Sequence, residues 1–354
     1  MNNKKTYLIK RLKQWNKFEN NRSMPWKGEK DPYRIWLSEI ILQQTRVEQG
    51  WDYYQRFVTA FPTVGKLATA PEIKVYKMWE GLGYYSRCKN LISTAKQIHT
   101  QYADKFPDKY HEILALKGVG PYTAAAIASF AYNQPCAVVD GNVFRVLSRF
   151  LGIETAIDSI AGKKLFTTLA HELLDKKEPG IYNQALMDFG AVVCKPKSPG
   201  CPACPLNNKC TAYLKGLVDR LPFKEKKIGN KKRWFYYLLV EYNGKVYVRK
   251  RKAKDIWQNL YEFILYEKDK KITVTSLNNF SFAQKMLGKR KQKNIEISNS
   301  FRQKLTHQTI EGRFIKVSID KPLDTKDYTA VLQSRLTKLP FPKCIVTYLS
   351  SGGK

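Results

Sequence analysis

The sequence predicts a mainly helical N-terminal domain followed by a smaller α+β domain. Up to about residue 217, apolar residues recur at three-to-four spacing, as in "KVYKMWEGLGYYSRCKNLISTAKQIHTQY" and "GKKLFTTLAHELL". Glycine or proline separates these blocks, the pattern of short amphipathic helices. Further on, "WFYYLLVEYNGKVYVRKR" is aromatic and β-branched, with Asn243-Gly244 between its two halves. Both turn residues tolerate positive φ, so a hairpin is expected there. Between the two patterns, "LVDRLPFKEKKIGNKKR" is charged and aperiodic and reads as a linker. The expected division is therefore a helical domain over 1–217, a linker over 218–232 and an α+β domain over 233–354.

With 354 residues and 43% hydrophobic content, the chain can bury a sizeable core, as two domains. The opening "MNNKKTYLIKRLKQWNKF" is basic without a continuous apolar run, unlike a secretory signal. No stretch approaches the apolar length of a membrane span. A soluble, monomeric, cytoplasmic protein without membrane partners is expected. In that compartment thiols stay reduced, so clustered cysteines point to metal rather than disulfides. Four of the seven fall in "CKPKSPGCPACPLNNKC"; Cys88, Cys136 and Cys344 are scattered and read as packed thiols. The net charge of +32 is shared: residues 1–220 hold 32 basic and 19 acidic side chains, and the remaining 134 hold 30 and 11. Such a surplus favours a polyanionic partner, nucleic acid first.

Three stretches carry chemistry. In "ALKGVGPYTAAAIASF", Gly118 and Gly120 permit a tight turn and Pro121 opens an alanine-rich helix. Backbone N–H groups there can face a phosphate, although an ordinary helix corner fits the pattern as well. Glu39 lies in "YRIWLSEIILQQT", where apolar neighbours would raise its pKa and suit it to general-acid work. Asp140 closes "CAVVD" and opens "GNVFRVLSRF"; taken alone it reads as a helix N-cap. The cysteine spacing C-x6-C-x2-C-x5-C contains only one C-x2-C pair, against the two usual in zinc ribbons. Four thiolates around a [4Fe–4S] cluster accommodate it more easily, with structural zinc as the alternative.

The order of these features resembles the endonuclease III superfamily of DNA glycosylases, and most of all its adenine DNA glycosylase (MutY) family. The blocks "MPWKGEKDPYRIWLSEIILQQTRVE", "FPTVGKLATAP", "GLGYYSRCKNL", "LKGVGPYTAAA", "VDGNVFRVLSR" and "NQALMDFGAVVC" carry the resemblance. It covers about residues 8–215 strongly and the C-terminal part more loosely. It implies two helical modules with a helix-hairpin-helix motif, and a Nudix-like C-terminal domain lacking the acid-rich metal-binding helix of true Nudix hydrolases. It also implies one [4Fe–4S] cluster on Cys194, Cys201, Cys204 and Cys210, in a loop whose Lys195, Lys197 and Lys209 can meet phosphate.

The implied activity is removal of adenine opposite 8-oxoguanine or guanine in duplex DNA, which requires the nucleotide to be flipped out. By resemblance Glu39 protonates the departing base. Asp140 stabilises the oxocarbenium-like sugar, and Asn142 and Tyr122 complete the pocket. Trp26, Lys27 and Gln184 match base-pocket positions, with Lys27 standing where arginine is common and unable to form its planar fork. Gln44, Leu82 and Tyr84 match residues that fill or wedge the duplex. In "KLTHQTI" Thr306 and His307 match the lesion-reading loop, with Leu305 in place of its aromatic residue. A bifunctional glycosylase/lyase would need a lysine where Tyr122 stands, and phenol cannot form a Schiff base. A non-catalytic, DNA-binding iron–sulfur protein is the more distant alternative.

Overall fold

The computed structural model describes residues 2–225, 229–273 and 286–352. Residues 226–228 of the expected linker lie outside this description. The chain forms two compact units, one of residues 1–70 with 89–226 and one of residues 71–88 with 227–354.

The first unit is helical, as the periodicity predicts. Its elements are α1 (Asn2–Phe18), α2 (Pro32–Leu42), α3 (Val47–Ala60), α4 (Val64–Ala68), most of α6 (Tyr85–Tyr102), α7 (Tyr110–Leu114), α8 (Pro121–Tyr132), α9 (Gly141–Leu151), α10 (Ile160–Leu173), α11 (Pro179–Val192) and α12 (Thr211–Leu214). Local signals set the ends. Asp31 accepts a hydrogen bond from the Tyr33 N–H at 2.9 Å and Pro32 occupies the first turn of α2. Ser159 accepts from the Gly162 N–H at 2.9 Å and starts α10.

One face of α9, Val143, Val146, Leu147 and Phe150, is buried against Leu8, Leu12 and Trp15 of α1 and against Leu186 and Phe189 of α11. The Trp15 and Phe189 rings meet edge to face at 5.1 Å. Truncating a side chain buried like Phe150 costs about 3–5 kcal/mol, so this packing holds α9 rigidly from behind. What α9 presents at its N-terminus is Asp140.

The second unit holds a mixed sheet of β1 (Lys231–Tyr242), β2 (Lys245–Lys250), β3 (Tyr261–Glu262), β4 (Ile264–Lys268), β5 (Gln292–Ile297), β6 (Phe301–Lys304), β7 (Gln308–Ile319) and β8 (Thr329–Leu332). The order is β3-β2-β1-β7-β5, with β4 also pairing β1, β6 pairing β7 and β8 pairing β2. The expected hairpin joins β1 to β2 in the register Tyr242↔Lys245, and its turn residues Asn243 and Gly244 adopt φ of 46° and 71°. Alternate residues of β1 enter different clusters: Tyr236, Leu238 and Val240 face Ile315 and Val317 of β7. Phe235 and Tyr237 instead meet Trp257 and Phe314. Burial on both faces explains the unbroken apolar run of this strand.

The helical stretch α5 (Glu72–Trp79) belongs to this second unit. Tyr76 Oη accepts from Asn259 Nδ2 at 2.8 Å, Lys77 Nζ donates to the Leu339 carbonyl at 3.1 Å, and Glu80 accepts from the Phe341 N–H at 2.8 Å. These bonds join residues far apart in sequence. The unit closes with α13 (Lys343–Ser350). Among the described residues no helix is long and apolar enough to cross a membrane.

Candidate active site

Three elements of the first unit converge on Glu39. The middle of α2 carries it, only 6% exposed, between Ser38 and Ile40. Burial pushes its pKa up to about 7; a hydrogen bond with Tyr122 of α8 opposes the rise, and the nearby negative Asp140 adds to it. The carboxyl is thus partly protonated at neutral pH. Burial, together with Glu39 and Asp140, pushes the Tyr122 phenol well above its ordinary value, so this hydroxyl remains a donor.

Asp140 is the N-cap of α9 and accepts from the Val143 N–H at 2.7 Å. Its second oxygen accepts from Asn142 Nδ2 at 2.7 Å. Burial raises its pKa, while these hydrogen bonds and Arg145 pull it back down. The plain N-cap role and the sequence-stretch "VDGN" therefore coincide: the cap itself delivers a hydrogen-bonded carboxylate beside Glu39. Arg145 extends the chain of contacts, donating to Asn142 Oδ1 at 2.8 Å, the Gly190 carbonyl at 2.8 Å and the Cys194 carbonyl at 2.7 Å.

A cavity of about 190 Å³ opens on Glu39, lined also by Trp26, Lys27, Ser38, Phe130 and Gln184. It is smaller than the sites that enclose drug-sized ligands. Trp26 is buried and meets Tyr54 edge to face at 5.3 Å. Lys27 does not point a free charge into the space: its ammonium donates to the Arg22 carbonyl at 2.9 Å and pairs with Asp188 at 3.2 Å. Gln184 donates to the same Asp188 at 2.9 Å. The structure thus brings Glu39, Tyr122, Asp140 and Asn142 together, and Trp26, Lys27 and Gln184 around the same cavity.

Gly118 adopts φ of 76° in the turn before α8, and a Cβ there would come within 2.5 Å of the Asn90 side chain. Thr94 Oγ1 donates to the neighbouring Lys117 carbonyl, and the Lys117 N–H donates to Gln97 Oε1 at 3.3 Å. Residues 90, 94 and 97 share one face of α6 and grip the turn. Gly120 then caps α8 with Pro121 in the first turn. Gln44 stands exposed at φ of 57° after α2.

In the second unit, Leu82 is buried and Tyr84 is 40% exposed at φ of 46°, in the turn that precedes α6 rather than within a helix. The Arg87 guanidinium lies 5.2 Å from the Trp79 ring and 5.5 Å from that of Tyr84, and donates to the Gly83 carbonyl at 3.3 Å. The Tyr84 and Thr306 hydroxyls are hydrogen-bonded to each other. His307, next to Thr306 in sequence, is exposed, and its carbonyl accepts from the Lys231 N–H at 2.9 Å.

All seven cysteines are free. Cys194, Cys204 and Cys210 pack against the α1–α9–α11 core. Burial pushes the Cys204 thiol up to about 12, with the other three cysteines adding to the rise. Arg149 Nη1 approaches Cys194 Sγ at 3.5 Å, and the Leu206 N–H approaches Cys204 Sγ at the same distance. Four thiols thus share one neighbourhood. Among the described residues, no group of three or more His, Cys, Asp or Glu could hold a single metal ion. Lys195 and Lys197 are exposed, whereas Lys209 donates to Asn3 Oδ1 at 2.6 Å.

Sequence reasoning missed Asp188, Arg22, Arg145 and Arg87. Asp188 had a signal: it is a lone carboxylate in the apolar "ALMDFGAV", as Glu39 is in its own helix.

Comparison with known proteins places this geometry. Residues 37–171 match the HhH-GPD superfamily base excision DNA repair protein family, and residues 235–351 match the NUDIX domain. An adenine DNA glycosylase of Buchnera aphidicola subsp. Baizongia pistaciae is 34% identical over 310 residues, covering 87% of this chain and 85% of the relative. The chain belongs to the adenine DNA glycosylase family. A second member, from Schizosaccharomyces pombe, is 42% identical over 190 residues, covering 53% of this chain and 41% of its own. Among solved structures, a thermostable thymine-DNA glycosylase superposes with a TM-score of 0.56 at 28% identity, over 60% of this chain and 98% of its own. Membership of the family agrees with the helical first unit and the mixed sheet of the second.

Proposed function

We propose that this chain is a monofunctional adenine DNA glycosylase of base excision repair, acting on adenine opposite 8-oxoguanine or guanine in duplex DNA. The observation that carries the reading is Glu39: a carboxyl raised to about 7 by burial, beside Tyr122 and Asp140, at the wall of a small cavity. Adenine anion is a poor leaving group, so its imidazole ring must gain a proton as the glycosidic bond breaks. Protonated Glu39 donates that proton. The bond electrons leave with the base, and Asp140, as the carboxylate held by Val143 and Asn142, faces the positive charge that develops on the sugar. Water then adds to the sugar carbon, gives up a proton that returns Glu39 to its acid form, and leaves an intact abasic site. Tyr122 orients Glu39 and offers no amine for strand cleavage.

The base reaches the cavity only if its nucleotide leaves the stack. Gln44, Leu82 and Tyr84 are the proposed fillers of the vacated space, and Gly118 and Gly120 the proposed phosphate contacts. Thr306 and His307 are proposed to read the opposite base. Cys194, Cys201, Cys204 and Cys210 would hold one [4Fe–4S] cluster, which when bound supplies an architectural clamp on its loop. The +32 charge suits a DNA backbone.

The test is incubation of the purified protein with an adenine:8-oxoguanine duplex, with and without alkali. Adenine release with strand breakage only after alkali is expected. No release, or cleavage and borohydride trapping without alkali, would overturn the reading.

A further inference from the structure

The carboxylate of Asp188 is 0% exposed. Four donors converge on its two oxygens: Arg22 Nη1 at 2.7 Å, Asn20 Nδ2 at 2.9 Å, Gln184 Nε2 at 2.9 Å and Lys27 Nζ at 3.2 Å. Two of these, Lys27 and Gln184, line the cavity. We propose that Asp188 is a positioning residue of the base pocket, which fixes the polarity of the Gln184 amide and holds the Lys27 charge away from the base.

The argument rests on hydrogen-bond chemistry. A carboxylate paired with Arg22 and Lys27 can only accept, so Gln184 must turn its NH2 group toward Asp188. The amide oxygen is then the atom left over, and among the described residues it receives no hydrogen bond. An acceptor fixed in this way favours a base with an amino donor and disfavours one with a carbonyl oxygen at the same position. Adenine carries the amino group; hypoxanthine, its otherwise similar deaminated form, carries the oxygen. Lys27 acts in the same sense: a free ammonium in the cavity would attract a carbonyl oxygen, but its charge is already bound by Asp188 and the Arg22 carbonyl. Asp188 thus sets selectivity without touching the base.

This inference rests on the glycosylase reading, and its test separates the two. Single-turnover excision would be measured on duplexes carrying adenine or hypoxanthine opposite 8-oxoguanine, for the full chain and for Asp188→Asn. Asparagine offers a donor as well as an acceptor, so Gln184 can turn over and Lys27 loses its partner. The adenine-to-hypoxanthine rate ratio is expected to fall at least tenfold, and intrinsic reactivity differences between the two bases cancel in that comparison. In a Gln184→Met background the same Asp188 change should move the ratio far less. An unchanged ratio in folded Asp188→Asn would overturn the role of Asp188 while leaving the glycosylase reading intact. Should the variant not fold, the wild-type protein still decides. With selectively labelled glutamine, the Gln184 side-chain NH2 should give two inequivalent, slowly exchanging protons; a fast-exchanging, averaged signal would overturn the assignment.

Discussion

Two buried carboxylates in the first unit have opposite surroundings. Burial drives Glu39 toward the neutral form, near pH 7, with negative Asp140 adding to the rise and a hydrogen bond with Tyr122 opposing it. Asp188 has a guanidinium, an ammonium and two amides, which compensate a charge as deeply buried. Burial alone thus decides nothing about a carboxyl group. Its partners determine whether it becomes a movable proton or a fixed anion that organises its neighbours.

The largest test of this contrast is Glu39→Gln, which keeps shape and removes the proton. Adenine excision should fall by about 10²–10⁴-fold or more, the usual worth of a positioned general acid, with mismatch binding nearly intact. Normal single-turnover excision by this variant would break the contrast on the Glu39 side. Asp188→Ala should break it on the other side. Leaving Arg22 and Lys27 without their shared anion is expected to cost about 3–5 kcal/mol in denaturant unfolding.

Stability against pH sharpens the difference further. The folded pKa of Glu39, about 7, exceeds its ordinary 4.5, so the folded state holds the proton more tightly than the unfolded one. Its burial penalty is absent below about pH 4.5, grows as pH rises toward 7, and is complete above that. Glu39→Gln should therefore stabilise the protein at pH 8–9 relative to wild type, by on the order of 3 kcal/mol, and by little near pH 5. Excision by the wild type should decline as pH rises through about 7, tenfold per unit once Glu39 is mostly ionised.

The smallest expected effect lies outside both carboxylates, in the second unit. His307→Ala should spare chemistry and lower the preference for adenine opposite 8-oxoguanine over guanine by a few-fold, read as the ratio of single-turnover rates. An unchanged ratio would move lesion reading elsewhere.

Much of this was legible in the chain itself. Three-to-four periodicity marked the helical half, and Asn243-Gly244 marked the hairpin, because both signals arise from backbone geometry within a few residues. Glu39 stood out for a similar local reason, an acid among isoleucines and leucines on one short helix. Asp140 was ambiguous between cap and catalytic group; the fold makes it the cap of α9 and sets its carboxyl near Glu39.

What remained hidden depended on partners distant in sequence. Asp188 bore the same local signature as Glu39, yet nothing nearby foretold that Arg22, 166 residues away, would meet it. Residues 71–88 belong to the second unit, where hydrogen bonds such as Asn259 to Tyr76 join residues 183 positions apart. The meeting of Tyr84 with Thr306 spans 222. Periodicity, caps and turns are properties of neighbouring residues, so the amino-acid order alone determined them. The charge state of a buried acid is set by whatever the folded chain places within hydrogen-bonding distance, and only the tertiary structure decided that.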